Sequence, residues 1–175
     1  PMTSISTLVE RIRRATHSGE PMRDIAVVVS EFVDDGGIEL VDDPFHPARK
    51  DRVTGLIAPL STSSELTMVA IRSAPGVVAY PQRHNLPIAV AVLEGSVVVD
   101  VYIESEIDGT LEASGGVEVL PEEVYVIEAD VVHRVRFTSD AGQVIHVVVG
   151  DLAETDRTRW VDGRPQAVLG TAYPL

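Results

Sequence analysis

Between residues 66 and 149 the chain is a succession of short β-branched runs, each closed by a turn signal, with no helical stretch long enough to link parallel neighbours. The runs fall at 66–72, 77–84, 88–93, 96–104, 110–113, 117–119, 124–128, 132–137 and 143–149. A parallel pair needs a crossover of roughly a dozen residues or more, so strands spaced this closely must pair antiparallel. Turn signals recurring at roughly 8 to 12 residues are the pattern of an all-β sandwich or barrel.

Upstream the period changes. Leu8, Val9 and Ile12 share one face of a helix over 6–16, with Thr7 and Glu10 at capping-box spacing. Pro21 can open a second helix, in which Met22, Ile25, Ala26, Val29 and Phe32 follow a 3.6-residue period until Asp34-Asp35-Gly36-Gly37 ends it. The helices of 2–37 are expected to pack on a β-domain spanning 38–175. Residues 38–65 are punctuated by Pro, Asp and Ser, with a strand near Val53 to Ile57, and the tail from Asp151 reads as loop. With 45% apolar residues and a mean hydropathy of +0.14, a chain of 175 residues can bury one sizeable core.

Charge narrows the partners. Twenty-seven acidic residues against 14 Lys and Arg give a formal charge of −13, which repels nucleic acid and anionic membranes. The absence of cysteine removes disulfide scaffolds, thiolate metal sites and cysteine nucleophiles. No apolar run approaches the ~20 residues of a membrane span, and the first residues lack a signal-peptide core, so a cytoplasmic protein is expected.

Position separates the five histidines. His17 and His46 fall in connectors and are expected at the surface. Tyr80, Gln82 and His84 alternate, so an extended chain puts all three on one face. His133 shares its face with Val135 and Phe137. A hairpin turned at Thr138 to Ala141 would set His133 directly opposite His146. A single buried histidine is most often satisfied by a carbonyl, but histidines converging from separate strands read as a site.

The residues around His84 resemble the first motif of the cupin superfamily, G-x5-H-x-H-x3-E-x6-G. Here Gly76, Gln82, His84, Ile88 and Gly95 stand at that spacing, with Gln82 replacing the first histidine and Ile88 the glutamate. "EVLPEEVYVIEADVVHRVRF" resembles the second motif, with Pro121 kept, Glu122 or Glu123 where glycine is usual, and His133 as the ligand. Within the superfamily, "SAPGVVAYPQRH", "VVHRV" and "HVVVGDL" are similar to the thiol dioxygenases that act on cysteine and 3-mercaptopropionate. The resemblance covers roughly residues 50 to 160.

That resemblance implies a double-stranded β-helix (jelly-roll barrel) with two short N-terminal helices. It implies Fe(II) held by Gln82, His84 and His133 in place of three histidines, with dioxygen and a small thiol acid as co-substrates. The Ser-His-Tyr relay of the group becomes Val144, His146 and Val148, which keeps the histidine and loses both hydroxyls. Arg157 or Arg159, or Arg52 nearer the start, stands where an arginine would hold the substrate carboxylate. Neutral ligands leave the metal's charge free to attract an anionic donor, and Val90, Val92, Val135, Phe137, Val144 and Val148 offer an apolar lining. A metal-free alternative has His133 and His146 acting as acid and base, with Gln82 or Tyr80 orienting a carbonyl, as in a dehydratase, isomerase or cyclase. A non-catalytic ligand-binding module is the third reading. Ile145, Val147 and Val149 face away from the site and are apolar, so helices or a second subunit must cover them, and a homodimer is expected.

Overall fold

The computed structural model describes residues 4–36, 50–51 and 55–169; His46 and Arg52 lie outside them. The element order is α1 (Ile5–Thr16), α2 (Pro21–Asp34), β1 (Lys50–Asp51), β2 (Gly55–Thr62), β3 (Leu66–Arg72), β4 (Gln82–Arg83), β5 (Ile88–Glu94) and β6 (Val97–Glu104). There follow β7 (Leu111–Val119), β8 (Val124–Ile127), β9 (Val132–Phe137), β10 (Gln143–Val149), β11 (Arg157–Val161) and β12 (Arg164–Val168).

Helix α1 begins one turn earlier than the capping box at Thr7 implies. Ser4 is the cap: its side chain accepts from the Thr7 N–H at 3.2 Å, while Arg13 and Arg14 sit in the last turn against the negative end of the dipole. Helix α2 opens on Pro21, whose missing N–H costs nothing there, and Gly36 follows its end at φ 80°. Leu8, Ile12, Ile25, Val29 and Phe32 pack against Ala58, Met68, Ala70, Ala89, Ala91, Ile145 and Val147. Small residues on the sheet let the helices approach, and their large side chains fill the space. The cover required by Ile145 and Val147 is therefore supplied by the helices, whereas Val149 is only half-buried.

Two six-stranded sheets face each other, in the orders β1-β2-β3-β10-β5-β8 and β12-β11-β4-β9-β6-β7. Taken from β3 to β10, the orders 3-10-5-8 and 4-9-6-7 are those of an eight-stranded jelly roll. The expected all-β jelly-roll barrel with two N-terminal helices is present, and its strand order alone carries that assignment. The interior between the sheets is filled by Ile57, Val69, Ile71, Val90, Val92, Val97, Val99, Val144 and Val148.

Four sequence expectations change. Strands β9 and β10 are not a hairpin: β9 pairs with β4 and β6, whereas β10 pairs with β3 and β5 in the opposite sheet. The 138–142 connection crosses between sheets and is held by Ser73 Oγ donating to the Asp140 carbonyl at 2.6 Å and by the Thr138 N–H on the Ser96 carbonyl at 3.0 Å. Gly142 lets it pass, since a Cβ there would lie 2.4 Å from the Phe137 ring. The run at 77–84 is strand only at Gln82–Arg83, whereas 110–113 and 117–119 merge into one strand through Gly115 and Gly116. The tail is not loop throughout, because Arg157–Val161 and Arg164–Val168 pair about a two-residue turn with Asp162 at φ 51° and Gly163 at φ 75°. Asp-Gly is the preferred pair for such a turn.

Candidate active site

The site grows from a two-residue strand held on both edges. β4 pairs with β11 through Arg83↔Thr158 and Gln82↔Arg159, and with β9 through Gln82↔His133. Side-chain alternation sends Arg83 outward. There its guanidinium meets Glu104 at 2.7 Å and lies over Trp160, 5.5 Å from the ring centroid, while Trp160 Nε1 donates to the Gly109 carbonyl at 2.9 Å. These outer contacts fix the strand pair, so Gln82, and with it Arg157 and Arg159 on β11, take the face of His133.

His84 follows at once. Asn85 adopts φ 59° and donates from Nδ2 to the Asp156 carbonyl at 2.9 Å, which turns the chain immediately after His84 and ties it to the start of β11. The His84 and His133 rings stack with centroids 5.1 Å apart at 30°. His133 is buried, and its Nδ1 lies 3.1 Å from the Val131 carbonyl. A neutral ring makes that bond by donating from Nδ1, which leaves the lone pair on Nε2. His146 comes from the opposite sheet, in register with Val69 and Val90 and flanked by the buried Val144 and Val148. As whole residues His84 and His146 are half-buried, yet His84 Nδ1 and His146 Nε2 are covered and have no hydrogen-bond partner.

All three imidazoles are held neutral. Burial pushes His84 well below its ordinary pKa, reinforced by His133, Arg157 and His146. Burial lowers His133 too, opposed by its bond to Val131, and burial together with His133 takes His146 to about 3. No carboxylate among the described residues acts on any of the three. Arg157 is buried, Arg159 is half-buried, and both belong to the same wall.

Of the residues singled out in the sequence, the structure thus gathers Gln82, His84, His133, His146 and Arg157. Tyr80 lies half-buried in the segment leading into β4, without a hydrogen bond to the histidines. His17 is exposed, as expected. The pairing of Arg159 with Gln82 was hidden because the tail reads as loop; Asp162-Gly163 is the signal that exposes it.

Among the described residues no group of three His, Cys, Asp or Glu is placed to hold a metal. A cation at this site would have two imidazoles, His84 and His133, and the amide oxygen of Gln82. That set fits a divalent metal through its unused nitrogens: neutral imidazole is the coordinating form, and buried His84 Nδ1 has nothing else to bind.

No protein-family profile matches the chain, and no curated protein matches its sequence. Among solved structures, KdgF from Halomonas sp. is 16% identical at a TM-score of 0.43, covering 54% of this chain and 79% of its own. An RmlC-like cupin from Shewanella frigidimarina is 20% identical at 0.44, covering 58% and 81%. Oxalate decarboxylase from Bacillus subtilis is 16% identical at 0.46, covering 65% of this chain but only 31% of its own. Each is a likeness of shape alone.

Proposed function

We propose that the chain is a small-molecule cupin enzyme and, more finely, a non-heme Fe(II) dioxygenase-like oxidoreductase acting on a small thiol acid with O2. The observation that supports this best is the neutrality of the inward donors: no carboxylate among the described residues acts on His84 or His133, Gln82 stands in register with His133, and Arg157 lies beside His84. When bound, Fe(II) would supply the positive charge that lowers a thiol's pKa and a point at which thiolate and dioxygen meet, with the four electrons that dioxygen takes coming from the substrate's sulfur as it becomes a sulfinate.

The chain's own residues do the rest. Gln82, His84 and His133 hold the metal from one side. Arg157, beside His84, binds the substrate's carboxylate and fixes its distance from the donors. Tyr80, from the segment entering β4, orients the substrate's polar end. Val135, Phe137, Val144 and Val148 exclude water, which strengthens each of these attractions. His146, neutral throughout the physiological range, offers a hydrogen bond rather than a charge. A cysteine-free chain and a thiol substrate both suit the cytoplasm.

The acid–base alternative asks a histidine to exchange protons near pH 7, and a pKa of about 3 for His146 opposes it. The test is calorimetric titration of chelator-treated protein with Fe(II) under nitrogen, followed by oxygen uptake with 3-mercaptopropionate. One Fe(II) per chain and oxygen consumption are expected; no saturable Fe(II) binding would overturn the reading.

A further inference from the structure

We infer that Arg159 and Gln82 form a second anion-binding point beside the histidines, so that the substrate of this site carries two acidic groups. This rests on the reading above, in which Arg157 takes the first.

Three observations support the second point. The Gln82↔Arg159 and Gln82↔His133 registers place Arg159, Gln82 and His133 side by side across three strands, with side chains on one face. Arg159 makes no ion pair among the described residues, and its Nε is covered without a hydrogen-bond partner. Its neighbour Arg83, one strand over and facing outward, is by contrast paired with Glu104 at 2.7 Å. A guanidinium whose Nε is cut off from water and protein alike is costly to keep unless a ligand completes it.

Chemistry and spacing then name the ligand. Residues two apart on a strand stand about 6.8 Å apart, and a guanidinium fork takes a carboxylate or phosphate edge-on. Two such forks on one wall match a small acid with anionic groups at both ends of a short carbon chain. The Gln82 amide N–H is placed to donate to the group at Arg159. A monoacid would use Arg157 alone.

The test uses metal-free protein in chelator, so it is independent of whether Fe(II) binds. Dissociation constants for butyrate and glutarate, which differ by one carboxylate for a methyl, are measured by calorimetry. Glutarate should bind about tenfold more tightly than butyrate, the contribution of one charge-assisted pair. Arg159→Gln should erase that preference while leaving butyrate unchanged, Arg159→Lys should restore part of it, and Arg157→Gln should weaken both acids. Unchanged circular dichroism establishes that each variant is folded. Equal affinities in the parent protein, no binding of either acid at millimolar concentration, or a glutarate preference that survives Arg159→Gln would each overturn the inference, whereas failure of Fe(II) to bind would overturn only the metal reading.

Discussion

In the helix-covered sheet, β3 and β5 are each buried along six of seven residues; in the opposite sheet, seven of the nine residues of β7 are exposed. The first sheet is enclosed between barrel and helices, so a polar side chain there has no solvent to turn to. Across Leu66–Ile71, Ile88–Leu93 and Val144–Val149, His146 is the one titratable residue. The second sheet has water on its outer face, and there Asp100 holds Arg134 at 2.8 Å and Arg136 at 2.6 Å, which keeps its carboxyl below the usual range. With charge tolerated outward, its inward positions are free to carry Gln82, His84, His133, Arg157 and Arg159. The first sheet supplies most of the buried core and a single histidine, His146; the second carries the other polar groups of the site.

That division can be broken most visibly in the covered sheet. Ile145→Ala removes a fully buried side chain wedged between sheet and helices and should cost ~3–4 kcal/mol in urea unfolding. Butyrate affinity per folded molecule should stay the same, because Ile145 faces away from His146.

Acid probes the one titratable intruder. The folded pKa of His146 is depressed, so below pH 6.5 the unfolded chain takes up its proton first; stability is present above that pH and is lost as pH falls toward 3. Between pH 6.5 and 5 this amounts to ~2 kcal/mol in metal-free protein. His146→Gln should flatten that part of the stability–pH curve, and an unchanged slope would show that His146 is not desolvated.

How much of this was legible in the sequence follows from where each signal is local. An all-β sandwich or barrel shows in turn spacing and β-branched runs, the jelly roll only in what the motif resemblance implies; alternation places Gln82 on the face of His133, but the strand ends before His84. The β9–β10 partnership was not legible, because a short connection between adjacent strands reads as a hairpin whether it stays in a sheet or crosses to the other. The β11–β12 hairpin was legible in Asp162-Gly163 but was masked by the polar, Pro-containing composition around it. Which glutamate replaces the motif glycine needed the backbone: Glu122 takes φ 72°. Glu122→Gly should relieve that left-handed strain and stabilise by ~0.5–1 kcal/mol in thermal melts.

The exposed strand should be the most forgiving. Val117→Ser on β7, an edge strand with water around most of its length, should change stability by no more than ~0.5 kcal/mol.

The claim that the open sheet carries a neutral-donor metal site is tested most directly by Fe(II) affinity in Gln82→His, measured by anaerobic calorimetry beside the parent, His84→Gln and His133→Gln. An imidazole in register with His133 replaces a weak amide donor, so Gln82→His should bind Fe(II) at least ~1.4 kcal/mol, or about tenfold, more tightly, while the two histidine variants lose it. Fe(II) affinity unchanged in Gln82→His would contradict the account, because Gln82 would then not face the metal.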